Sequence, residues 1–294
     1  MARNFVILVI IATAFAGCSV APFSLRPDQG KLLATGGVSQ VEGAGGAGLA
    51  PWAMITGYGS DASVGGNTYY THTKTNDFEL RSYGTAIGIA DRMEVSYARQ
   101  EFDTNEAGQR LGLRSNYTFK QDILGAKLRV AGDAVYGQDS LMPQIAVGMQ
   151  YKKVNSDNAG LVSALGAKDN DGVDIYTSAT KLFLDKNLIL NATLRGTKAN
   201  QFGLLGFGGD KSDKRSLQFE GSAAYMLNRK LVVGADYRTK PNNLNFAEES
   251  DATAAYVAFF PNKNMSITLA GVDMGKVAAQ GRQRGLYLST QVGF

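Results

Sequence analysis

The run LMPQIAVGMQYKK, residues 141–153, alternates apolar and polar or small side chains with a period of two residues. One face carries Ile145, Val147, Met149 and Tyr151. An α-helix with 3.6 residues per turn would scatter these four side chains around its circumference, whereas a strand places them on one side. The run therefore predicts a β-strand with one apolar and one polar face.

The same period recurs in residues 187–198, 217–225 and 231–238. Each run spans about as many residues as the 9–11 that a tilted strand needs to cross a bilayer. Short and long connections alternate between the strands. The short ones include Asp91-Arg92 and Gly137–Ser140, and the long ones lie near 102–119, 154–170, 199–214, 241–250 and 274–283. This alternation is typical of a transmembrane barrel with short periplasmic turns and long extracellular loops.

The composition agrees with an all-β, transmembrane antiparallel barrel. Gly accounts for 35 of the 294 residues, and charged residues make up 19%, less than the roughly 25% of soluble domains. One Cys and one His exclude a disulfide framework and a multi-ligand zinc site. The net charge of +4 is too small for nucleic-acid binding. No metal or cofactor site is predicted.

Counting strands back from the C-terminus gives thirteen, the first near 47–59. Because such barrels have an even strand number, residues 31–41 supply a fourteenth strand. The alternative is a barrel of twelve strands, with the Gly-rich N-terminal region folded into the lumen. A second Gly-rich segment, Gly203–Gly209, is predicted to be a loop, and the alternative is that it folds into the barrel mouth as a constriction.

The N-terminus predicts a signal peptide over residues 1–17, with Arg3 before an eleven-residue apolar stretch, Phe5–Phe15. Cleavage falls before Gly17 or before Cys18. In the second case Cys18, the single cysteine, is the lipidated first residue of a lipoprotein. Residues 18–30 are predicted to be a linker, and residues 31–294 the barrel.

The last ten residues, GLYLSTQVGF (285–294), end an alternating strand on an aromatic residue. Leu286, Leu288, Val292 and Phe294 share one face, and the pattern resembles the signal read by the barrel-assembly machinery. The sequence thus predicts the bacterial outer membrane as the location, with its lipid and lipopolysaccharide as partners and a monomer as the favoured state.

Charged side chains on the polar strand faces are the candidate functional residues. They would be costly against lipid but are tolerated in a lumen, where they set selectivity. The predicted pore-lining residues are Glu94, Lys127, Arg129, Asp133, Lys152, Arg195, Glu220, Asp236 and Arg238. The sequence favours a porin-like passive channel for small solutes. The alternative is a closed barrel with a structural or binding role, in which these charges pair across a plugged interior.

A barrel hydrolase or acyltransferase is the third hypothesis. It would use His72, the only histidine, with Ser82 or Ser96 as a neighbour. No local nucleophile motif of the GxSxG kind supports it, so the protein is predicted not to be an enzyme.

Five long runs resemble a proteobacterial family of outer-membrane β-barrels of unassigned function. They are GKLLATGGVSQVEGAGGAGLAPWA (30–53), DAVYGQDSLMPQIAVGMQYKK (133–153), LGAKDNDGVDIY (165–176), LRGTKANQFGLLGFGGD (194–210) and FFPNKNMSITLA (259–270). The resemblance covers Gly30 to Phe294 and implies the location and the architecture. It brings no substrate and no catalytic residues. Cys18 and the linker depart from the family pattern.

Overall fold

The computed structural model describes residues 26–294. The predicted signal peptide 1–17, its cleavage site, the lipidation site Cys18 and residues 18–25 of the predicted linker lie outside the described residues. Within the described part of the chain, no helix is both long and apolar enough to cross a membrane.

Twelve antiparallel strands form a closed barrel, preceded by two very short strands, β1 (Val38–Ser39) and β2 (Gly45–Gly46), that pair only with each other. The barrel strands are β3 (Val64–Thr75), β4 (Glu79–Ile89), β5 (Met93–Asp103), β6 (Thr118–Ala131), β7 (Gln144–Val154), β8 (Asp171–Phe183), β9 (Leu188–Thr197), β10 (Ser216–Asn228), β11 (Leu231–Arg238), β12 (Ala252–Asn262), β13 (Met265–Val277) and β14 (Gln280–Gly293). The barrel closes where β14 pairs with β3, from Gly285 opposite Thr75 to Gly293 opposite Asn67.

The expectation of fourteen strands is wrong, and the twelve-strand alternative is confirmed. Residues 31–41 and 47–59 do not join the wall; they fold back and forth inside the barrel, where nearly every residue is buried. The physical reason is that this Gly- and Ala-rich segment, interrupted by Pro51, lacks the alternating large apolar residues needed to face lipid. We call residues 31–59 the plug.

The outer face of the barrel is apolar, as the two-residue period predicts. Outward side chains along the wall are exposed, among them Val95, Leu124, Val147, Met149, Ile175, Leu190, Leu194, Phe219, Val257, Phe259, Leu269, Leu286 and Leu288. Val292 and Phe294 continue this face to the C-terminus. A large exposed apolar surface on a closed barrel is what burial in a bilayer requires.

The two ends of the barrel differ in the length of their connections. The end that carries the C-terminus, here the terminal end, has tight turns at 90–92, 184–187, 229–230 and 263–264 and a longer connection at 132–143. At the opposite end, here the loop end, the long connections are 104–117, 155–170, 198–215 and 239–251. Helix α1 (Ala107–Arg110) and helix α2 (Ser156–Ala164) lie in the first two of these.

Two predicted connections are wrong. The long loop near 274–283 is instead a two-residue hairpin turn, since β13 ends at Val277 and β14 begins at Gln280. Ala278 and Ala279 adopt the positive φ values, 46° and 60°, that such a tight turn requires. The short turn Gly137–Ser140 is part of the longer connection 132–143, in which the Asp133 carboxylate accepts the N–H groups of Val135 and Tyr136 at 2.8 and 2.7 Å.

The plug enters and leaves at the terminal end. Lys31 forms an ion pair with Asp91 in the β4–β5 turn, with 2.6 Å between Nζ and Oδ1. Tyr58 donates its N–H to the carbonyl of Phe294 at 3.2 Å. Gly57, with φ of 77°, passes so close to β3 that a Cβ there would lie 2.4 Å from the Gly66 nitrogen. Only glycine therefore fits where the plug meets the wall at this position.

Candidate functional site in the barrel lumen

The inner face of the wall carries many polar side chains among buried apolar ones such as Phe102, Ile123 and Val272. Buried inward side chains with hydroxyl or amide groups include Thr71, Ser82, Gln100, Gln121, Gln144, Gln150, Ser178, Thr180, Asn191, Thr193, Thr268, Ser289 and Gln291. Their hydrogen-bond partners are in large part the backbone groups of the plug. Irregular backbone at membrane depth needs such partners, because lipid offers none and an unpaired N–H or C=O is costly.

Three inward side chains converge on one plug carbonyl. The oxygen of Val41 accepts hydrogen bonds from Ser82 Oγ at 2.6 Å and Gln100 Nε2 at 2.7 Å. Tyr69 donates its hydroxyl to the same oxygen at 3.4 Å. The wall thus holds the plug at Val41 through polar side chains. The backbone groups of the same wall residues remain available for pairing between strands.

Glu94 and Lys127 hold the plug at two places along its sequence, at Gly45 and at Trp52 to Thr56. The Glu94 carboxylate accepts the N–H groups of Gly45 and Thr56, each at 2.9 Å. Lys127 Nζ lies 2.9 Å from Glu94 Oε2 and donates to the carbonyls of Gly45 and Trp52 at 3.0 and 3.1 Å. This ion pair is almost fully buried, and it fixes the plug backbone by hydrogen bonds to both N–H and carbonyl groups.

Wall side chains on β7, β9 and β11 hold residues 49–53 of the plug in the same way. Thr193 Oγ1 donates to the carbonyl of Pro51 at 2.9 Å, and Gln144 Nε2 donates to that of Ala53 at 2.8 Å. The N–H of Leu49 donates to Asp236 Oδ2 at 3.0 Å. The plug is therefore bound to the wall by side chains from both halves of the barrel.

Glu42 is the centre of the largest charged cluster in the lumen. Its carboxylate is fully buried and receives a two-pronged contact from Arg238, with NH1 3.0 Å from Oε2 and NH2 3.1 Å from Oε1. Lys152 Nζ contacts Oε1, and Arg195 NH2 lies 3.6 Å from Oε2. Gln40 also donates its amide to Oε2 at 2.9 Å. One plug carboxylate thus binds three wall bases.

The wall charges around Glu42 form a row with alternating sign over five neighbouring strands. From β7 to β11 the row reads Lys152, Asp174, Arg195, Glu220 and Arg238. Asp174 Oδ2 lies 2.8 Å from Lys152 Nζ and 3.4 Å from Arg195 NH1. Glu220 pairs with Arg195 and, at 3.2 Å, with Arg238. The wall contributes three positive and two negative charges, and Glu42 supplies the third negative charge.

A segment from the β9–β10 connection covers the charged row from the loop end. Residues 199–209, here the lid, are all buried, so Gly203–Gly209 follows the alternative of a constriction in the barrel mouth. The Phe202 ring lies 4.1 Å from the Arg238 guanidinium, and its carbonyl accepts hydrogen bonds from Lys152 at 3.2 Å and Gln121 at 3.3 Å. The lid therefore rests directly on the residues that hold Glu42.

A buried pair in the loop-end connections holds the lid in turn. Glu249 accepts the N–H of Gln201 at 2.7 Å, and Lys240 Nζ donates to the Gln201 side chain at 2.9 Å. Burial raises the pKa of Glu249 and lowers the pKa of Lys240 from their ordinary values. Each charge is stabilised by the other at a separation of 3.6 Å.

The plug and the lid fill most of the lumen. A cavity of about 40 Å³ lies between them, lined by apolar side chains such as Leu49, Phe102 and Leu204. Another of about 20 Å³ lies at the terminal end beside Lys31 and Asp91. Cavities of this size admit at most a few water molecules. The conformation described is a closed one.

Seven of the nine predicted pore-lining residues point into the lumen: Glu94, Lys127, Lys152, Arg195, Glu220, Asp236 and Arg238. Arg129 and Asp133 lie at the terminal end instead, where Arg129 bridges Asp133 at 3.0 Å and also pairs with Asp91. Burial works against the Asp133 carboxylate, but the N–H groups of Tyr136 and Val135 and the Arg129 guanidinium hold its pKa below the ordinary value.

Sequence reasoning missed Glu42, although the sequence contains a signal. Glu42 is the only charged residue between Leu32 and Ser60. A lone carboxylate in a Gly-rich apolar segment needs a partner when that segment is buried. Asp174 and Phe202 were also missed, because their roles depend on how β8 and the lid pack beside Arg195 and Arg238.

His72 does not meet the serines considered with it. Its side chain points outward from β3, with Nε2 3.5 Å from Glu79 Oε2. Ser82 and Ser96 are buried and point inward. The wall therefore separates the histidine from both hydroxyl groups, and the proposed nucleophilic pair is wrong.

Solved structures of porins share this architecture. The KdgM porin superposes with a TM-score of 0.51 at 10% identity, over 78% of this chain and 99% of that one. The NanC porin gives a TM-score of 0.51 at 8% identity, over 77% and 98%. The fold is therefore that of outer-membrane porin barrels. No curated protein matches the sequence.

A family model described as "Protein of unknown function (DUF3034)" matches residues 35–291. The match includes most of the plug, the charged row, the lid and all but the last residues of β14. Its extent means that plug and barrel wall are parts of one family unit. The chain belongs to this DUF3034 family.

Proposed function

We propose that the protein is an outer-membrane channel for small solutes that the plug and the lid close together. The channel opens when the plug leaves the lumen and the lid, which then lacks the plug beneath it, moves aside. The observation that carries this proposal is the set of polar and charged inward side chains of the wall that bind a segment pairing with none of the barrel strands. A barrel that was closed permanently could be filled with apolar side chains at lower cost than with buried charges.

The backbone pairing between the wall strands does not depend on the plug. Each of the twelve barrel strands pairs with two neighbours, and β1 and β2 pair only with each other. Removal of the plug breaks contacts between side chains and the plug backbone, which water can replace at small net cost. The lumen then becomes a water-filled pore with the polar lining that such pores need.

The terminal end faces the periplasm in this proposal, and the loop end faces outward. The predicted signal peptide would bring the chain out of the cytoplasm, and the apolar outer band would contact membrane lipid and lipopolysaccharide.

An exposed row of side chains lies next to the β14–β3 closure and consists of Leu286, Leu288, Val292 and Phe294. This position is suited to recognition by the barrel-assembly machinery. Lipidation of Cys18 would tether the N-terminus beside the plug, and the barrel would act as a monomer without enzymatic activity.

A closed barrel with a structural or binding role is the second candidate. The dense ion pairs around Glu42 and the small size of the cavities favour it. The two candidates differ in what happens when the plug is loosened, because only a channel gains conductance.

Glu42→Gln should loosen the plug and raise channel opening in planar bilayers. The substitution leaves three wall bases with two wall acids, and breaking a buried ion pair costs about 3–5 kcal/mol. A cost of this size corresponds to roughly a 100-fold or larger shift toward the unseated plug. Trp52, the only tryptophan, lies buried in the plug. Quenching of its fluorescence by acrylamide should increase in parallel.

Glu248→Gln is the matched control, because Glu248 is an exposed loop carboxylate that pairs with Lys276. This variant should behave like the unmodified chain. Heat-dependent gel mobility reports whether each variant has folded. A folded Glu42→Gln variant that is as silent as Glu248→Gln would refute the channel and favour the closed barrel.

A further inference from the structure

We infer that Lys152, Arg195 and Arg238 form a binding site for the carboxylate group of a small organic anion, and that Glu42 occupies this site when the channel is closed. The inference rests on the proposed function, because a solute reaches the three bases only after the plug has left. It names the class of solute that the channel prefers.

The contacts of Glu42 are those of carboxylate recognition. Arg238 presents its two terminal nitrogens to the two carboxylate oxygens at 3.0 and 3.1 Å. A planar guanidinium fork matches a carboxylate in this way with good directionality. Lys152 contacts Oε1 of Glu42, and Arg195 NH2 lies 3.6 Å from Oε2. A carboxylate on the segment that leaves the lumen in the proposed function thus shows where a free carboxylate would bind.

Each of the three bases has at least one partner in the wall besides Glu42. Lys152 retains Asp174 at 2.8 Å, and Arg195 retains Glu220 and the Gln150 side-chain oxygen, the latter at 2.7 Å. Arg238 retains Glu220 at 3.2 Å. These partners all belong to the wall, so the site is organised before an anion arrives.

The charge balance favours an anion and disfavours a cation. Three bases and two acids leave the row with one positive charge once Glu42 has gone. Both ends of the row, on β7 and β11, are basic. A carboxylate restores neutrality in a confined space where charges interact strongly.

The experiment is a chemical rescue of Glu42→Ala, which removes the carboxylate and leaves space for a small one. Acetate should raise the melting temperature of this variant by about 2–4 °C when its concentration is about ten times its dissociation constant. Acetamide, which has nearly the same shape and no charge, should not. Adding Arg238→Gln to Glu42→Ala should abolish the acetate effect.

Equal effects of acetate and acetamide on Glu42→Ala would overturn the inference, and so would an acetate effect that persists after Arg238→Gln. If Glu42→Ala does not fold, the reversal potential of Glu42→Gln channels in a salt gradient decides. The reversal potential should show that the channel prefers anions, and Arg238→Gln should reduce this preference. A preference for cations would overturn the proposed carboxylate site. Rescue by acetate without any channel opening would refute only the proposed function. Opening without rescue or anion preference would refute only this inference.

Discussion

Deleting residues 31–57 should yield a barrel that folds and conducts ions continuously. The deletion removes the plug but keeps Tyr58, whose N–H binds the Phe294 carbonyl at the barrel closure. All pairing between the twelve wall strands remains. The hydroxyl, amide and charged side chains of the inner face would then be hydrated. Steady conductance in planar bilayers, beside a silent full-length chain, is the expected result.

A synthetic peptide of residues 31–59 provides the control for this deletion. Added to the open variant, it should reduce the conductance, because every wall group that holds the plug is still present. The same peptide with Glu42→Gln should act at roughly 100-fold higher concentration, given the loss of about 3–5 kcal/mol estimated above. A deletion variant that folds and conducts nothing would mean that the plug does not close the pore.

Arg195→Met should produce the largest loss of stability of any single substitution in the charged row. Arg195 is almost fully buried and touches the carboxylates of Glu42, Asp174 and Glu220. Its guanidinium also lies 5.1 Å from the Tyr176 ring. Removing one base from the middle of the row leaves buried carboxylates with too few partners, which costs about 3–5 kcal/mol. The quantity to measure is the denaturant concentration at the midpoint of unfolding, with gel mobility as the readout of folded protein.

Arg282→Met is the control for Arg195→Met. Arg282 is exposed on β14 and pairs with Asp273 at 3.0 Å. Exposed ion pairs contribute at most about 1 kcal/mol, so this variant should unfold close to the midpoint of the unmodified chain. Equal midpoints for the two variants would contradict the structural role given to the charged row.

The face of each strand could be predicted from the sequence because it is a local property. In residues 141–153 the two-residue period alone separates Val147 and Met149, which face lipid, from Gln150 and Lys152, which face the lumen. The same argument places Arg195, Glu220 and Arg238 inside. It requires no knowledge of neighbouring strands.

The strand count and the centre of the site could not be decided in this way. Residues 31–41 and 47–59 fit a weak strand pattern, and their place inside the barrel depends on the polar wall that receives them. The partnership of Glu42 with Arg238 joins residues 196 positions apart. Only the closed ring of strands brings them together, so no local pattern contains it.

A reversible tether between the plug and the wall tests the central claim most directly. Ser39 Oγ lies 2.9 Å from Asn67 Oδ1, so Ser39→Cys with Asn67→Cys places two thiols within reach of a short bis-methanethiosulfonate reagent, which fixes the plug to β3 through reducible disulfide bonds. The pair is placed in a Glu42→Gln chain that also carries Cys18→Ser, so that it holds the only two thiols. The account predicts a silent bilayer until reductant is added and channel openings afterwards. Openings of equal frequency before and after reduction would contradict it.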